Sequence, residues 1–297
     1  MPHITPHLWF DTEAKQAAEL YTSVIPDARI TDVTTLRDTP SGDCDVVAFM
    51  LAGQPFQAIS AGPLFKFNPS VSFRIDCSTS GEVDELWNRL GEGGQTLMPL
   101  DSYPFSDRYG WLADRYGLSW QIMRTDEQIT QKIVPTLLFV GDVCGKAEEA
   151  IRLYTSTFPN SGVGEIMRYG PGAEPEAPDG VQYGPFILDG YKLVAMESAL
   201  KEHDFAFNEA ISLMVPCDTQ AEIDHYWERL SAVPESEQCG WLKDPSGVSW
   251  QVYPSRLDDM MRSADEETLG RVTQAFLQMK KFDVAELEAA YAGDVRP

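Results

Sequence analysis

The chain repeats itself once, in order and almost end to end, and this duplication limits the possible folds more than any other feature. ITPHLWF at 4–10 returns as VPTLLFV at 134–140, and ELYTSVIP at 19–26 returns as RLYTSTFP at 152–159. FKFNPSVSF from Phe65 matches FAFNEAISL from Phe205, and CSTSGEVDELWNRL from Cys77 matches CDTQAEIDHYWERL from Cys217. GWLADRYGLSWQI from Gly110 matches GWLKDPSGVSWQV from Gly240. A repeat of about 125 residues is too long for a solenoid unit and has the size of a domain. The expected organisation is one domain at 1–126, a second at 131–256, and a helical tail at 264–293. In that tail Leu269, Val272, Phe276, Leu277, Val284, Leu287 and Tyr291 recur at near-helical spacing.

Composition narrows the class. The 297 residues are 43% hydrophobic, enough for two cores, and 46 acidic against 23 basic residues leave a net charge of −23. Such a surface repels phosphate backbones and anionic lipid, so neither nucleic acid nor membrane is an expected partner. No apolar run reaches the roughly 18–20 residues of a membrane span, and the opening MPHITPHLWF has no basic segment followed by an apolar one. The expectation is a cytoplasmic protein. Five cysteines, without a C-x-x-C pair, suit reduced thiols rather than a disulfide framework or a zinc cluster.

Each copy reads as strand, helix, strands, and then the same again, so each domain is expected to contain a pair of βαβββ units. In the helix TEAKQAAELYTSV, Ala14, Ala17, Ala18, Tyr21 and Val24 share one side. LGEGG at Leu90–Gly94 follows a helix and is not a nucleotide-binding loop. A doubly wound cofactor fold, which a methyltransferase would need, is not predicted.

Three runs carry a resemblance: F-x-F-N-x-[AS]-x-S at Phe65–Ser72 and Phe205–Ser212, G-W-x-x-D-x-x-G-x-S-W-Q at Gly110–Gln121 and Gly240–Gln251, and the closing MKKFDVAELEAAY. Together they resemble the PhnB-like branch of the glyoxalase/bleomycin-resistance/vicinal-oxygen-chelate superfamily, often labelled 3-demethylubiquinone 3-methyltransferase, in a tandem-domain form. The resemblance implies an α+β fold in which four βαβββ units form open cup-shaped sheets. It also implies a divalent metal on the cup floor of the superfamily's enzymes, held by His, Gln or Glu. Aligned to that pattern, the ligand places hold Thr5, Ser70 and Gln121 in the first copy and Val134, Ala210 and Gln251 in the second, with Gln57 and Glu197 near the remaining place. Neutral oxygens are weak ligands and aliphatic side chains are none, so no metal and no cofactor are expected.

Strand parity places His7, Trp9, Ser72, Arg74 and Gln121 on an inward face of the first copy, with Trp111 as a cup wall. These six are the candidate ligand-binding residues; no catalytic residue is assigned. His7 is suited to proton transfer or hydrogen bonding, the alternative being a strand histidine held by backbone. Arg74 needs an anion, either a ligand's or an internal carboxylate's. Trp111 and Trp241 are candidates to stack on a planar ligand, whereas Trp87, Trp227, Trp120 and Trp250 read as core. The longer segment between Gly91 and Tyr109 is a candidate lid.

The expected function is therefore a metal-free glyoxalase-like protein that binds a small anionic or aromatic molecule in the first-domain cup, as a monomer or homodimer. The alternative is a metal-dependent vicinal-oxygen-chelate enzyme such as a lyase, dioxygenase or resistance transferase; a scaffold with side-chain-filled cups is a third reading.

Overall fold

The computed structural model describes residues 4–294. The first unit contains β1 (Thr5–Phe10), α1 (Ala14–Val24), β2 (Arg29–Thr39), β3 (Gly42–Leu51) and β4 (Gln54–Ser60). The second contains β5 (Val71–Cys77), α2 (Ser80–Leu90), β6 (Gln95–Tyr103), β7 (Ser106–Ala113) and β8 (Ser119–Arg124). The third contains β9 (Ile133–Val140), α3 (Ala147–Thr157), the fragments β10 (Gly162–Val163) and β11 (Met167–Arg168), β12 (Val181–Leu188) and β13 (Tyr191–Ser198). The fourth is shorter, with β14 (Ile211–Cys217), α4 (Gln220–Leu230), β15 (Trp241–Lys243) and β16 (Ser249–Pro254). Three helices close the chain: α5 (Arg256–Ser263), α6 (Glu266–Leu277) and α7 (Val284–Ala292).

Local chemistry explains the helices. The four residues Ala14, Ala17, Ala18 and Tyr21 form the wholly buried side of α1, a helical stripe against the sheet. The Thr79 and Thr219 side chains accept from Glu82 N and Glu222 N at the starts of α2 and α4, so C-S-T-S and C-D-T-Q are the same N-terminal cap written twice.

The units pair across the repeats. One sheet runs β15-β16-β14-β1-β4-β3-β2, uniting the first and fourth units; the other runs β10-β12-β13-β9-β5-β8-β7-β6, uniting the second and third. We call them the outer and inner cups. Each is joined by an antiparallel pair between repeats: β1 with β14, placing His7 opposite Ser212, and β5 with β9, placing Ser72 opposite Thr136. This corrects the expectation of one cup per repeat, because no cup is built from a single repeat. Two reciprocal tethers lock the arrangement. The Asn68 and Asn208 amides donate to Ala206 O and Lys66 O at 2.9 Å, while their own oxygens accept from Ser70 N and Ala210 N. Gln54 exchanges two hydrogen bonds of 2.8 Å with the Ile133 backbone.

The segment expected as a lid is instead an edge hairpin, β6 paired to β7. In the fourth unit that hairpin is missing, and the tail takes its place: Cys239 N and Gly240 N donate to Met279 O and Lys280 O at 2.8 and 2.7 Å. Gly240 has φ 82°, and a Cβ there would lie 2.5 Å from the Phe282 ring, so only glycine lets the tail approach.

Candidate functional site

The G-W-x-x-D-x-x-G-x-S-W-Q motif is structural first. Asp114 Oδ1 accepts from Tyr116 N and Leu118 N, shaping the turn into β8, and its Oδ2 accepts from Tyr21 OH at 2.8 Å and Trp120 Nε1 at 2.9 Å. Asp244 does the same with Ser246 N, Val248 N, Tyr154 OH and Trp250 Nε1. Burial raises both carboxyl pKa values, and these hydrogen bonds offset part of the rise. A buried carboxylate with four donors is held by its network, which ties helix, turn and strand together. Trp120 and Trp250 are fully buried, as their parity required, and Trp87 and Trp227 are partly buried against the core.

The six candidate residues do not converge. His7 and Trp9 lie on β1 in the outer cup, while Ser72, Arg74, Trp111 and Gln121 lie on β5, β7 and β8 in the inner cup.

The inner-cup members are satisfied by one another. Arg74 Nε and Nη2 donate to the Asp76 carboxylate at 2.7 and 3.0 Å, and its Nη1 donates to Tyr183 OH at 2.7 Å. Burial disfavours the cation, but Asp76 and Tyr183 outweigh that cost and hold its pKa above the ordinary guanidinium value. Of the two anions weighed for Arg74, a ligand's or an internal carboxylate's, the internal one is in place. Gln121 donates to Ser72 Oγ at 2.7 Å and accepts from Tyr109 OH at 2.9 Å, and Trp111 Nε1 donates to Ser119 Oγ at 2.7 Å. Burial raises the pKa of Tyr109 and keeps its hydroxyl protonated as a donor.

The outer cup is hollow. A cavity of about 430 Å³ opens between the sheet, the Thr39–Ser41 hairpin tip and the tail, with His7, Trp9, Gln57, Met214, Trp241 and Gln251 on its walls and Leu257, Met261 and Phe282 from the tail over it. Three repeat-equivalent substitutions open it. In equivalent registers Val46 stands where the inner cup has Tyr183, and the repeat places Met214 at Arg74 and Cys239 at Tyr109. All three smaller or uncharged residues line the cavity.

Polar groups are left over in the outer cup. Gln251 Nε2 donates to Ser212 Oγ at 2.7 Å, as in the other cup, but Cys239 supplies no hydroxyl to Gln251 Oε1. Among the described residues the His7 side chain makes no hydrogen bond, and its Nδ1, Trp241 Nε1 and Ser249 Oγ are buried without partners. The Trp–Ser bond of the inner cup is thus not made in the outer. Burial pushes His7 down to about 3, so its imidazole is neutral near pH 7. Around it Trp241 packs edge-on at 5.5 Å, Trp9 lies 6.2 Å from Trp241, and Phe65 lies 5.1 Å from Trp9.

Neither floor fits a divalent metal. The outer floor offers one imidazole and the neutral carboxamides of Gln57 and Gln251, weak ligands for a first-row metal; the inner floor holds a buried guanidinium. Glu197 faces the other side of its sheet, accepting from Ala147 N at the start of α3 and from Val181 N, both at 2.8 Å. Its register partner is Phe139, three positions beyond the residue that matches Gln57. Among the described residues no group of three or more His, Cys, Asp or Glu is placed to hold a metal ion.

Sequence reasoning missed Met214, Cys239, Val46 and the tail residues. The signal was present in the repeat: Arg74 and Tyr109 are matched by Met214 and Cys239, and Tyr183 by Val46, so the smaller members come from different copies and meet only because the first and fourth units share a sheet.

A family profile described as 3-demethylubiquinone-9 3-methyltransferase matches twice, over residues 2–123 and 131–253. A PhnB protein from Bacillus cereus is 34% identical over 41% of this chain and 98% of its own, with a TM-score of 0.38. Glyoxalase I from Zea mays is 10% identical over 88% of this chain and 96% of its own, with a TM-score of 0.52, a likeness of fold. The fosfomycin resistance protein FosX from Listeria monocytogenes is 17% identical over 39% of this chain and 88% of its own, with a TM-score of 0.31. No curated protein matches.

Proposed function

Because the chain belongs to the 3-demethylubiquinone-9 3-methyltransferase family, a PhnB-like branch of the glyoxalase/vicinal-oxygen-chelate superfamily, in duplicated form, we propose that it binds a small apolar or aromatic molecule in the outer cup, without a metal. The observation that carries this reading is the contrast between two related cups, one filled by Tyr183, Arg74 and Tyr109 and the other hollow at Val46, Met214 and Cys239. A cavity of about 430 Å³ is within the range of small-molecule sites, which combine an apolar wall with a few orienting polar groups. Trp9, Phe65 and Trp241 supply the wall, and the neutral His7 imidazole and Gln251 Oε1 supply the orienting groups. The site joins the two ends of the chain, so the first-domain cup of the sequence reading gives way to one shared by both repeats. An anionic ligand loses its support, since Arg74 lies in the other cup and is paired.

The test is calorimetric titration of the full chain with 1-naphthylmethanol, a neutral aromatic probe. One site per chain is expected, with affinity falling at least tenfold in Val46→Tyr, which copies the inner cup's occupant, and in Met214→Phe from the opposite wall. Arg74→Met should keep the affinity. Absence of binding to the parent, or binding unchanged by both filling variants, overturns the reading. Near-stoichiometric zinc, nickel, manganese or iron in protein purified without chelators overturns its metal-free part.

A further inference from the structure

The outer cup has a charge character as well as a shape. Its lining includes three carboxylates, Glu209, Glu235 and Asp258, and neither lysine nor arginine. Glu209 is neutralised by Lys243 at 2.8 Å, and Glu235 is exposed at the rim. Asp258 differs from both. It lies in the first turn of α5, half-buried against the cavity, and its side chain has one hydrogen-bond partner among the described residues, Tyr253 OH at 3.4 Å. Arg262, whose charge acts on Asp258, pairs instead with Asp259 Oδ1 at 3.3 Å, while Asp32 and Asp259 add further negative charge. Burial raises the Asp258 pKa, the Arg262 charge and the Tyr253 hydroxyl offset part of that rise, and no salt bridge to its carboxylate is made among the described residues.

Resting on the binding role above, we propose that the occupant of the outer cup is an organic cation, with an apolar or aromatic body against Trp9 and Trp241 and a protonated amine or quaternary ammonium directed at Asp258 and the Tyr253 ring. A cavity walled by indole and phenol rings, with a carboxylate that makes no salt bridge among the described residues, attracts a cation twice, through the ring quadrupoles and through the direct charge. It repels an anion, and the net charge of −23 adds a field of the same sign around the mouth. A neutral ligand gains the apolar contact alone.

Three probes with one ring system separate these cases: 1-naphthylmethylammonium, 1-naphthylmethanol and 1-naphthoate, titrated calorimetrically into the full chain at pH 7. The ammonium should bind about tenfold tighter than the alcohol, as expected for a partly desolvated cation on aromatic faces, and the carboxylate should bind weakest. Asp258→Asn, which keeps the side-chain shape and a partner for Tyr253, should bring the ammonium to the level of the alcohol while leaving the alcohol unchanged. The same titrations at high salt should narrow the gap in the parent and not in the variant. Equal affinities of ammonium and alcohol in the parent, or a gap that survives Asp258→Asn, overturn the charge preference and leave the binding role standing. If none of the three binds, both fall. Unchanged alcohol binding in the variant also shows that it folds.

Discussion

The two cups share one blueprint and have opposite interiors. In both, a Gln on the last strand donates to a Ser on the facing strand at 2.7 Å, and in both a buried Asp ties Tyr, Trp and a turn together. The inner cup then adds a guanidinium, its carboxylate and two phenols, each finding a partner, whereas the outer cup has a valine, a methionine and a cysteine there. The difference shows that emptiness here is local: the framework is kept, three side chains shrink, and Gln251 Oε1 faces a cysteine where its counterpart accepts from a tyrosine hydroxyl. A satisfied polar cluster stabilises, while an unsatisfied buried group costs about 1–3 kcal/mol, so the outer cup forgoes stability that the inner cup keeps.

The contrast is most exposed to mutation at Arg74. Arg74→Met, which copies Met214, strands Asp76 in a pair whose side chains are only 11% and 13% exposed, and should cost about 3–5 kcal/mol in chemical denaturation. A loss below 1 kcal/mol would mean that the inner cup is not held by this pair.

Acid stability sharpens the contrast next, because His7 has Thr136 as its counterpart. His7 titrates near 3 when folded against 6.5 when unfolded, so no penalty exists above pH 6.5, and one grows as pH falls from 6.5 towards 3, where only the unfolded chain takes up the proton. His7→Phe, similar in volume, should therefore become more stable relative to the parent across that window, by an amount on the order of a few kcal/mol. Parallel stability curves for the two proteins between pH 7 and 4 would contradict a neutral, desolvated His7.

The smallest expected effect is a difference of differences. Trp111→Phe removes a made hydrogen bond and strands Ser119, while Trp241→Phe removes an N–H that has no partner, so the first should cost about 1 kcal/mol more than the second by thermal unfolding. Equal costs would show that the Trp–Ser bond contributes nothing in either cup.

Much of the architecture is legible in the chain. The duplication, the strand and helix order and the buried tryptophans follow from period and parity, which are local properties that each segment carries with it. The candidate site was legible by face and not by neighbour: His7 and Arg74 both point inward, but into different cups.

What the sequence determined alone is the set of four units and the inward face of each. Which units share a sheet was decided only in the tertiary structure, because every unit offers a similar strand edge and the period-two pattern is met by either partner. The antiparallel joins of β1 to β14 and β5 to β9 are long-range choices, made by packing and by the Asn68, Asn208 and Gln54 tethers that span the repeats. The cavity is decided at the same level, since it exists where Val46, Met214 and Cys239, distant in sequence, fail together to fill a space that the tail then covers.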